Sequence, residues 1–300
     1  MKKINHYFPN VILSVIFVFS FIGLSLTTEA KDKLLSSSFY ISSAEKHDIY
    51  LRVTNHADDY FTKSYAVSGI PAEVYMDGLD DKTIKDAVDG KIENFFDYVS
   101  GKSSKIEETE IDFSVLEKNL TDYFSEFAEE NNVEVNEDFT KQLDKTIETA
   151  ESEIDSFTNI YMMDYMEKAG IPQTLRKVYP IIAAAPFVFM GVLLVGLVIL
   201  ILLNRKNLRF VFYWISTSGI CASVIILIPC IILKYSDYFS RLVMRNDYIY
   251  YAVTGLLNDF NVNIIKIQSA ALGVFVALML VYIFLSLIHI SEPTRLGMIS

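Results

Sequence analysis

The chain alternates between long apolar runs and polar stretches with a helical period. Four apolar runs stand out, at residues 11–26, 178–203, 210–233 and 264–284. The last three are long enough to cross a hydrocarbon core of about 30 Å at about 1.5 Å per helical residue. The pattern therefore predicts an integral membrane protein with three transmembrane helices and a shorter apolar helix near its start.

The polar stretch 31–177 carries four amphipathic helical patterns. We expect these helices to begin at Ser42, where Glu45 completes a capping box, after Asp80-Asp81, at about Asp112 and at Asn136, and the first two to end at Gly69 and Gly101. The apolar stripe of the second helix comprises Ile84, Val88, Ile92, Phe95 and Val99, and that of the fourth comprises Phe139, Leu143, Ile147, Ala150, Ile154, Phe157 and Tyr161. The fourth, of about 33 residues, would be roughly 50 Å long. We expect the first and fourth helices to form an antiparallel stalk on which the two shorter helices pack. The predicted fold class is an all-α membrane protein, with a helical stalk domain between the first span and three further transmembrane helices.

The first apolar run has the features of an export signal. It follows a basic start at 1–3 and ends shortly before Ala30. A basic start, an apolar middle and a small residue are typical of a signal peptide, here cleavable after Ala30. Thr28 is a poor partner for Ala30 at a cleavage site, so an uncleaved signal-anchor helix is the alternative. In both cases Lys31 emerges on the outer side.

The distribution of basic residues predicts the orientation of the chain in the cell membrane. The short loop between the second and third runs contains Arg205, Lys206 and Arg209, which is typical of a cytoplasmic loop. In the loop 234–263, three basic residues are balanced by three acidic ones. We therefore expect this loop and the segment 31–177 to be extracytoplasmic in a multi-pass protein.

Charge separates the two parts of the chain further. Residues 31–178 contain 32 acidic and 16 basic residues, a net charge of −16, whereas the whole chain has −11. So acidic a domain is a poor nucleic-acid binder and suits cations or basic partners better. The favoured interpretation is that the charge only keeps an exported domain soluble. Both cysteines, Cys221 and Cys230, lie in the third run, so the exported domain is expected to fold without disulfides.

The end of the sequence has an unusual resemblance. Residues 285–300, from Leu285 through the run Ser291-Glu-Pro-Thr-Arg295, resemble a translated sequencing adapter. The resemblance implies an artefact, a truncated fragment and an unknown true carboxyl end, so His289, Glu292 and Arg295 receive no functional weight. The expected organisation is a signal or anchor helix at 1–30, an acidic domain at 31–177, a transmembrane bundle at 178–284 and this artefact.

Two acidic features of the exported domain are candidate cation sites. The stretch 119–140 has seven acidic residues and no basic residue, and Asp77 to Asp81 contains three aspartates around a glycine. Neither has the order or spacing of a calcium loop, which needs six to eight oxygen ligands from a compact turn. A solvated helix corner and a turn followed by a helix cap are the favoured interpretations.

Two histidines are candidate metal ligands. His47 and His56 are nine residues apart, which places them on about the same helical face but about 13 Å apart along the axis. That distance is too long for one metal ion without a partner helix. Ordinary surface histidines are the favoured interpretation, and we expect no catalytic, cofactor-binding or metal-binding residues.

Two aromatic segments are candidate contact surfaces. The run Tyr161 to Met166 is rich in tyrosine and methionine, which favours core packing, with a partner-binding patch as the alternative. The loop 234–263 is rich in aromatic residues, which predicts a helix at the membrane surface, with a substrate-binding loop as the alternative. Its aromatic residues are Tyr235, Tyr238, Phe239, Tyr248, Tyr250, Tyr251 and Phe260.

The sequence thus favours a non-enzymatic membrane protein without cofactors. The spans carry no charge at their centres, which argues against a self-sufficient ion-coupled transporter. The leading hypothesis is that the helical domain binds a protein partner, as a sensor, scaffold or accessory subunit of an envelope complex. A fragment of a transport or export component is the second hypothesis, and a lipid-acting enzyme is the third. In architecture alone, residues 1–284 resemble uncharacterised bacterial membrane proteins of the Gram-positive type with a helical extracytoplasmic domain.

Overall fold

The computed structural model describes residues 7–296, with side chains for residues 7–287, and this part of the chain is all-α with no strand. The basic start at 1–3 and the last adapter-like residues, 297–300, lie outside the described residues. The helices are α1 Tyr7–Glu29, α2 Ser37–Lys46, α3 Ile49–Ser68, α4 Ala72–Met76, α5 Asp81–Ser100, α6 Ser114–Glu130, α7 Glu137–Phe157, α8 Met163–Lys168, α9 Ile171–Leu203, α10 Arg209–Tyr235 and α11 Asp247–Leu296.

Four helical segments are long and apolar enough to cross a membrane. They are Tyr7–Leu34, Ile171–Leu203, Arg209–Tyr235 and Asp247–Leu287. The predicted all-α class is therefore confirmed, with four helices long and apolar enough to cross a membrane. The first segment is longer than its apolar run, because a π-helical stretch, Ala30–Leu34, continues α1.

The chain divides into two compact units. Among the described residues, the apolar unit contains 7–34, 180–241 and 258–296, and the polar unit contains 35–179 and 242–257. Helices α9 and α11 each contribute residues to both units.

The polar unit is built around one buried cluster. It is formed by the apolar faces of its helices, and α5 illustrates how the sequence dictates them. Its predicted stripe is buried along its whole length, at Ile84, Val88, Ile92, Phe95 and Val99. Each large side chain removed from water contributes about 1.5–3 kcal/mol, so such stripes supply the main stabilisation of the unit.

The predicted long fourth helix is wrong, because it is interrupted between α7 and α8. Met162 has a left-handed backbone, with φ 55°. One local and one long-range hydrogen bond accompany the break. The side chain of Asn159 accepts a hydrogen bond of 2.7 Å from the Met163 N–H, and the Tyr161 hydroxyl donates one of 2.9 Å to the Tyr40 carbonyl. Burial of Tyr161 against residues far away in the sequence therefore overrides the local helical pattern.

The predicted first helix is also divided, into α2 and α3. Asp48 lies between them with φ 53°, a left-handed conformation that aspartate tolerates. Helix α2 starts before the predicted cap at Ser42, and Glu45 pairs instead with Lys85 of α5, at 3.2 Å. The predicted ends at Gly69 and Gly101 are confirmed, since both glycines have positive φ at a helix terminus.

The apolar unit is packed around α10, which has the most buried surface of the four candidate spans. Helix α1 packs along it. At one end of α1, the amides of Asn10 and Asn204 exchange two hydrogen bonds of 3.1 and 3.3 Å, and both side chains are buried. At the other end, the Asn263 amide donates to the Glu29 carboxylate at 2.6 Å. Polar side chains thus join α1 to other helices of the unit, as is common in transmembrane bundles.

Candidate functional site at the contact of α3 and α11

The start of α11 lies in the core of the polar unit. Tyr248, Ala252 and Leu256 are only 2%, 1% and 8% exposed and belong to its buried cluster. Their spacing of four residues places them on one face of the helix. The loop 234–263 was expected to hold a helix at the membrane surface. In the structure, its residues 247–257 instead supply one wall of the polar unit.

His56 of α3 packs directly on this wall. Its ring lies 4.8 Å from the ring of Tyr248 and 5.0 Å from the ring of Phe157 in α7, the latter edge to face. Side chains from three helices, α3, α7 and α11, therefore meet around one imidazole. His56 is partly buried here, so it is not the ordinary surface histidine that the sequence favoured.

Two further contacts extend the same interface. The Arg52 guanidinium lies 3.8 Å from the centre of the Tyr251 ring, within the range of a cation–π interaction worth about 0.5–2 kcal/mol. His47 lies against the backbone of Gly255, where an added Cβ would come within 2.6 Å of the imidazole. Only glycine therefore permits this close approach.

The three contacts define what we call the α3–α11 seam, in which His47 belongs to the turn just before α3. His47, Arg52 and His56 meet Gly255, Tyr251 and Tyr248, respectively, so the two segments run antiparallel. The sequence singled out both histidines and the aromatic loop but could not bring them together. Arg52 and Gly255 were missed because a non-local contact leaves no local signal.

The electrostatics of the seam centre on His56. Burial lowers the pKa of its imidazole below the ordinary value, because a low-dielectric site disfavours the charged ring. The carboxylates of Asp59 and Asp247 raise the pKa, and the ammonium of Lys63 lowers it. Burial outweighs the carboxylates, so the neutral imidazole is favoured in the packed state.

A second feature of the polar unit is an acidic groove with a cavity volume of about 410 Å³. The Lys91 ammonium lies 2.9 Å from the Asp155 carboxylate and donates 2.8 Å to the Asp155 carbonyl, so its charge is already paired. The other charged side chains that line the groove are all acidic, namely Glu107, Glu108, Asp164 and Glu167. The groove therefore presents net negative charge to solvent.

The other candidate residues of the sequence are distributed as follows. The acidic stretch 119–140 forms the exposed corner between α6 and α7. Asp80 caps α5, accepting from the Thr83 N–H at 2.6 Å and from its hydroxyl at 2.7 Å, and these bonds lower the pKa of its carboxyl. Tyr161 and Met163 are core residues, whereas Tyr165 is exposed. Within residues 7–287, no group of three or more His, Cys, Asp or Glu side chains is arranged to hold a metal ion.

Comparisons of the chain with protein-family models, with curated proteins and with solved structures found no match.

Proposed function

We propose that the chain is a non-enzymatic integral membrane protein whose polar unit lies outside the cytoplasm and binds a protein partner there. It would serve as a sensor, scaffold or accessory subunit of an envelope complex. The observation that carries the proposal is that helix α11 takes part in both the core of the polar unit and a candidate span. Its residues 247–257 complete the core of the polar unit, and the same unbroken helix supplies a candidate span. A partner that alters the polar unit therefore acts on a spanning helix without an intervening linker.

The acidic groove supports a basic partner for this unit. Glu107 of the groove is paired with Lys105 at 3.1 Å, and the excess of carboxylates over ammonium groups along the lining favours ammonium or guanidinium groups of a partner. The net charge of residues 31–178 attracts cationic surfaces over longer distances. The proposal assigns the recognition to the polar unit and the anchoring to the apolar unit.

Occupancy of the groove is tested by comparing native membranes with purified protein. Cysteines are introduced singly as Glu108→Cys in the groove and Val67→Cys at an exposed position outside its lining, in a Cys221→Ser background. We expect a partner to slow thiol labelling at residue 108 in native membranes but not in purified protein, with residue 67 labelled equally in both. Equal labelling at residue 108 in the two preparations would contradict partner binding in the groove.

Topology gives a separate test of the proposal. An impermeant thiol reagent applied to intact cells is expected to modify Glu126→Cys and Val243→Cys, which are exposed in the polar unit, but not Asn207→Cys between α9 and α10. The basic residues beside Asn207 motivate this expectation. Labelling of residue 207 without the other two would reverse the orientation.

The proposal also assigns α1 the role of a retained anchor. The Asn10–Asn204 amide pair and the Glu29–Asn263 hydrogen bond support it, because cleavage after Ala30 would remove one partner of each. Removal of a buried hydrogen-bonding partner costs about 1–3 kcal/mol. A mature protein whose measured mass lacks residues 1–30 would contradict this role.

A further inference from the structure

The α3–α11 seam has the parts of a latch. One side belongs to the folded body of the polar unit, through His47, Arg52 and His56. The other side is a single short stretch of helix, residues 247–257. It is preceded by the non-helical residues 242–246 and followed by the continuation of α11 as a candidate span. The latched stretch is therefore continuous with a helix only on its carboxyl-terminal side.

Gly255 is the glycine of the latched stretch. Glycine in a helix interior costs about 1 kcal/mol relative to alanine and loosens the backbone there. Gly255 lies two residues before the division between the two units, at 257 and 258. Its contact with the His47 ring holds the glycine in the seam.

We propose that the α3–α11 seam is a pH-sensitive latch, which protonation of His56 opens and which thereby frees the start of α11 from the polar unit. The inference rests on the proposed function, because it needs the polar unit to face the extracytoplasmic solution. It adds to that function a signal, the external proton concentration, and a moving part.

The charged groups around His56 decide the direction of the effect. On α3, Arg52 lies one turn away and opposes a second positive charge, as does Lys63, whereas Asp59 favours it. On α11, Asp247 favours the imidazolium, and Tyr248 offers only its ring. On α7, Phe157 contributes an uncharged ring, and Glu153 interacts electrostatically with Tyr248. In the described part of the chain, no carboxylate oxygen forms a salt bridge with His56.

The sign of the pH dependence follows from linkage. The packed state holds fewer protons on His56 than the open state, because burial favours the neutral ring. The stability of the closed latch therefore rises with pH through this window. It is fully present above the ordinary histidine pKa of about 6.5, and it is lost as pH falls below that value toward the lowered pKa.

The latch is tested by thiol labelling of the full chain in intact cells, with Cys221→Ser as background. The reporter is Ala252→Cys, on the buried face of α11, and the reference is Val243→Cys, which is 97% exposed. The ratio of their labelling rates removes the pH dependence of the thiol chemistry itself. We expect this ratio to rise about twofold to tenfold as pH falls from about 7.5 to about 5.5, since one unit of pKa difference corresponds to about tenfold in equilibrium.

Matched variants separate the latch from general acid unfolding. His56→Phe keeps an aromatic ring in the seam but cannot be protonated, so its ratio is expected to stay flat. Ala87→Cys, buried in α5, is expected to stay protected at both pH values. A flat ratio with His56 present, an equal rise in His56→Phe, or equal exposure of residue 87 would each overturn the latch. Absence of Val243→Cys labelling at every pH would instead contradict the proposed orientation.

Discussion

Replacing Ile154 with aspartate is expected to unfold the polar unit or to lower its free energy of unfolding by on the order of 4 kcal/mol. Ile154 is 0% exposed in α7 and belongs to the buried cluster. A carboxylate placed there would lose its hydration without gaining a partner, and the core would lose the packing of the isoleucine. Domains of this size are commonly stable by only about 5–15 kcal/mol, so the loss would be a large fraction of the total.

The matched control is Thr149→Asp on the same helix, because Thr149 is exposed and the change in net charge is identical. Limited proteolysis of the full chain, monitored for cleavage within residues 35–179, measures the difference. Ile154→Asp is expected to be degraded rapidly and Thr149→Asp at the parental rate. If both variants resist proteolysis equally, Ile154 does not carry the burial that the structure gives it.

The choice of Ile154 shows where sequence periodicity stops being informative. The stripe of α7 continues through Leu143, Ile147, Ala150 and Ile154, and the pattern treats these positions alike. In the structure, Leu143 and Ile147 are only partly buried, whereas Ala150 and Ile154 are fully buried. The pattern identifies the inward face of a helix, but tertiary contacts decide how deeply each part of that face is buried.

Features with local causes were predictable from the sequence. Helix α5 begins after the cap Asp80 and ends at Gly101, and its buried stripe follows the predicted spacing. The four apolar segments were likewise visible in hydrophobicity alone. In each case the determining residues lie within a few positions of the feature, so no knowledge of the tertiary structure was needed.

Features with distant causes were not predictable. The break between α7 and α8 is accompanied by a hydrogen bond from Tyr161 to Tyr40, 121 residues earlier, as well as by the local bond to Asn159. The α3–α11 seam joins His56 to Tyr248 across an even longer separation. The sequence flagged both members of the seam as chemically notable. However, it assigned the histidine to the surface and the aromatic segment to the membrane, because each was interpreted without its partner.

Replacing Gly219 with valine is expected to disrupt the packing of α11 against α10. The Phe275 ring lies so close to Gly219 that an added Cβ would approach within 2.3 Å of it, far inside van der Waals contact. Phe275 is itself buried, and its ring packs edge to face on Phe21 of α1 at 5.2 Å. The ring therefore cannot move without disturbing a third helix. Overpacking of such a site costs about 1–3 kcal/mol or more, and here it also separates two helices that small residues allow to approach.

Gly273→Val in α11 is the control, since its position has open space around an added Cβ and carries the same intrinsic helix cost for valine. Thermal stability of the detergent-solubilised chain, followed as the fraction remaining monodisperse after heating, distinguishes the two. Gly219→Val is expected to aggregate at a clearly lower temperature than the parent, and Gly273→Val close to the parent temperature.

The contact between Ser216 and Met279 gives a second measurement of the same packing, because their side chains lie 3.6 Å apart along the same pair of helices. Cysteines at those two positions are expected to be bridged by a short bis-maleimide reagent in the parent, and this cross-link is expected to be lost in Gly219→Val. If Gly219→Val keeps both the parental aggregation temperature and the cross-link, Phe275 does not pack on the α10 backbone at Gly219.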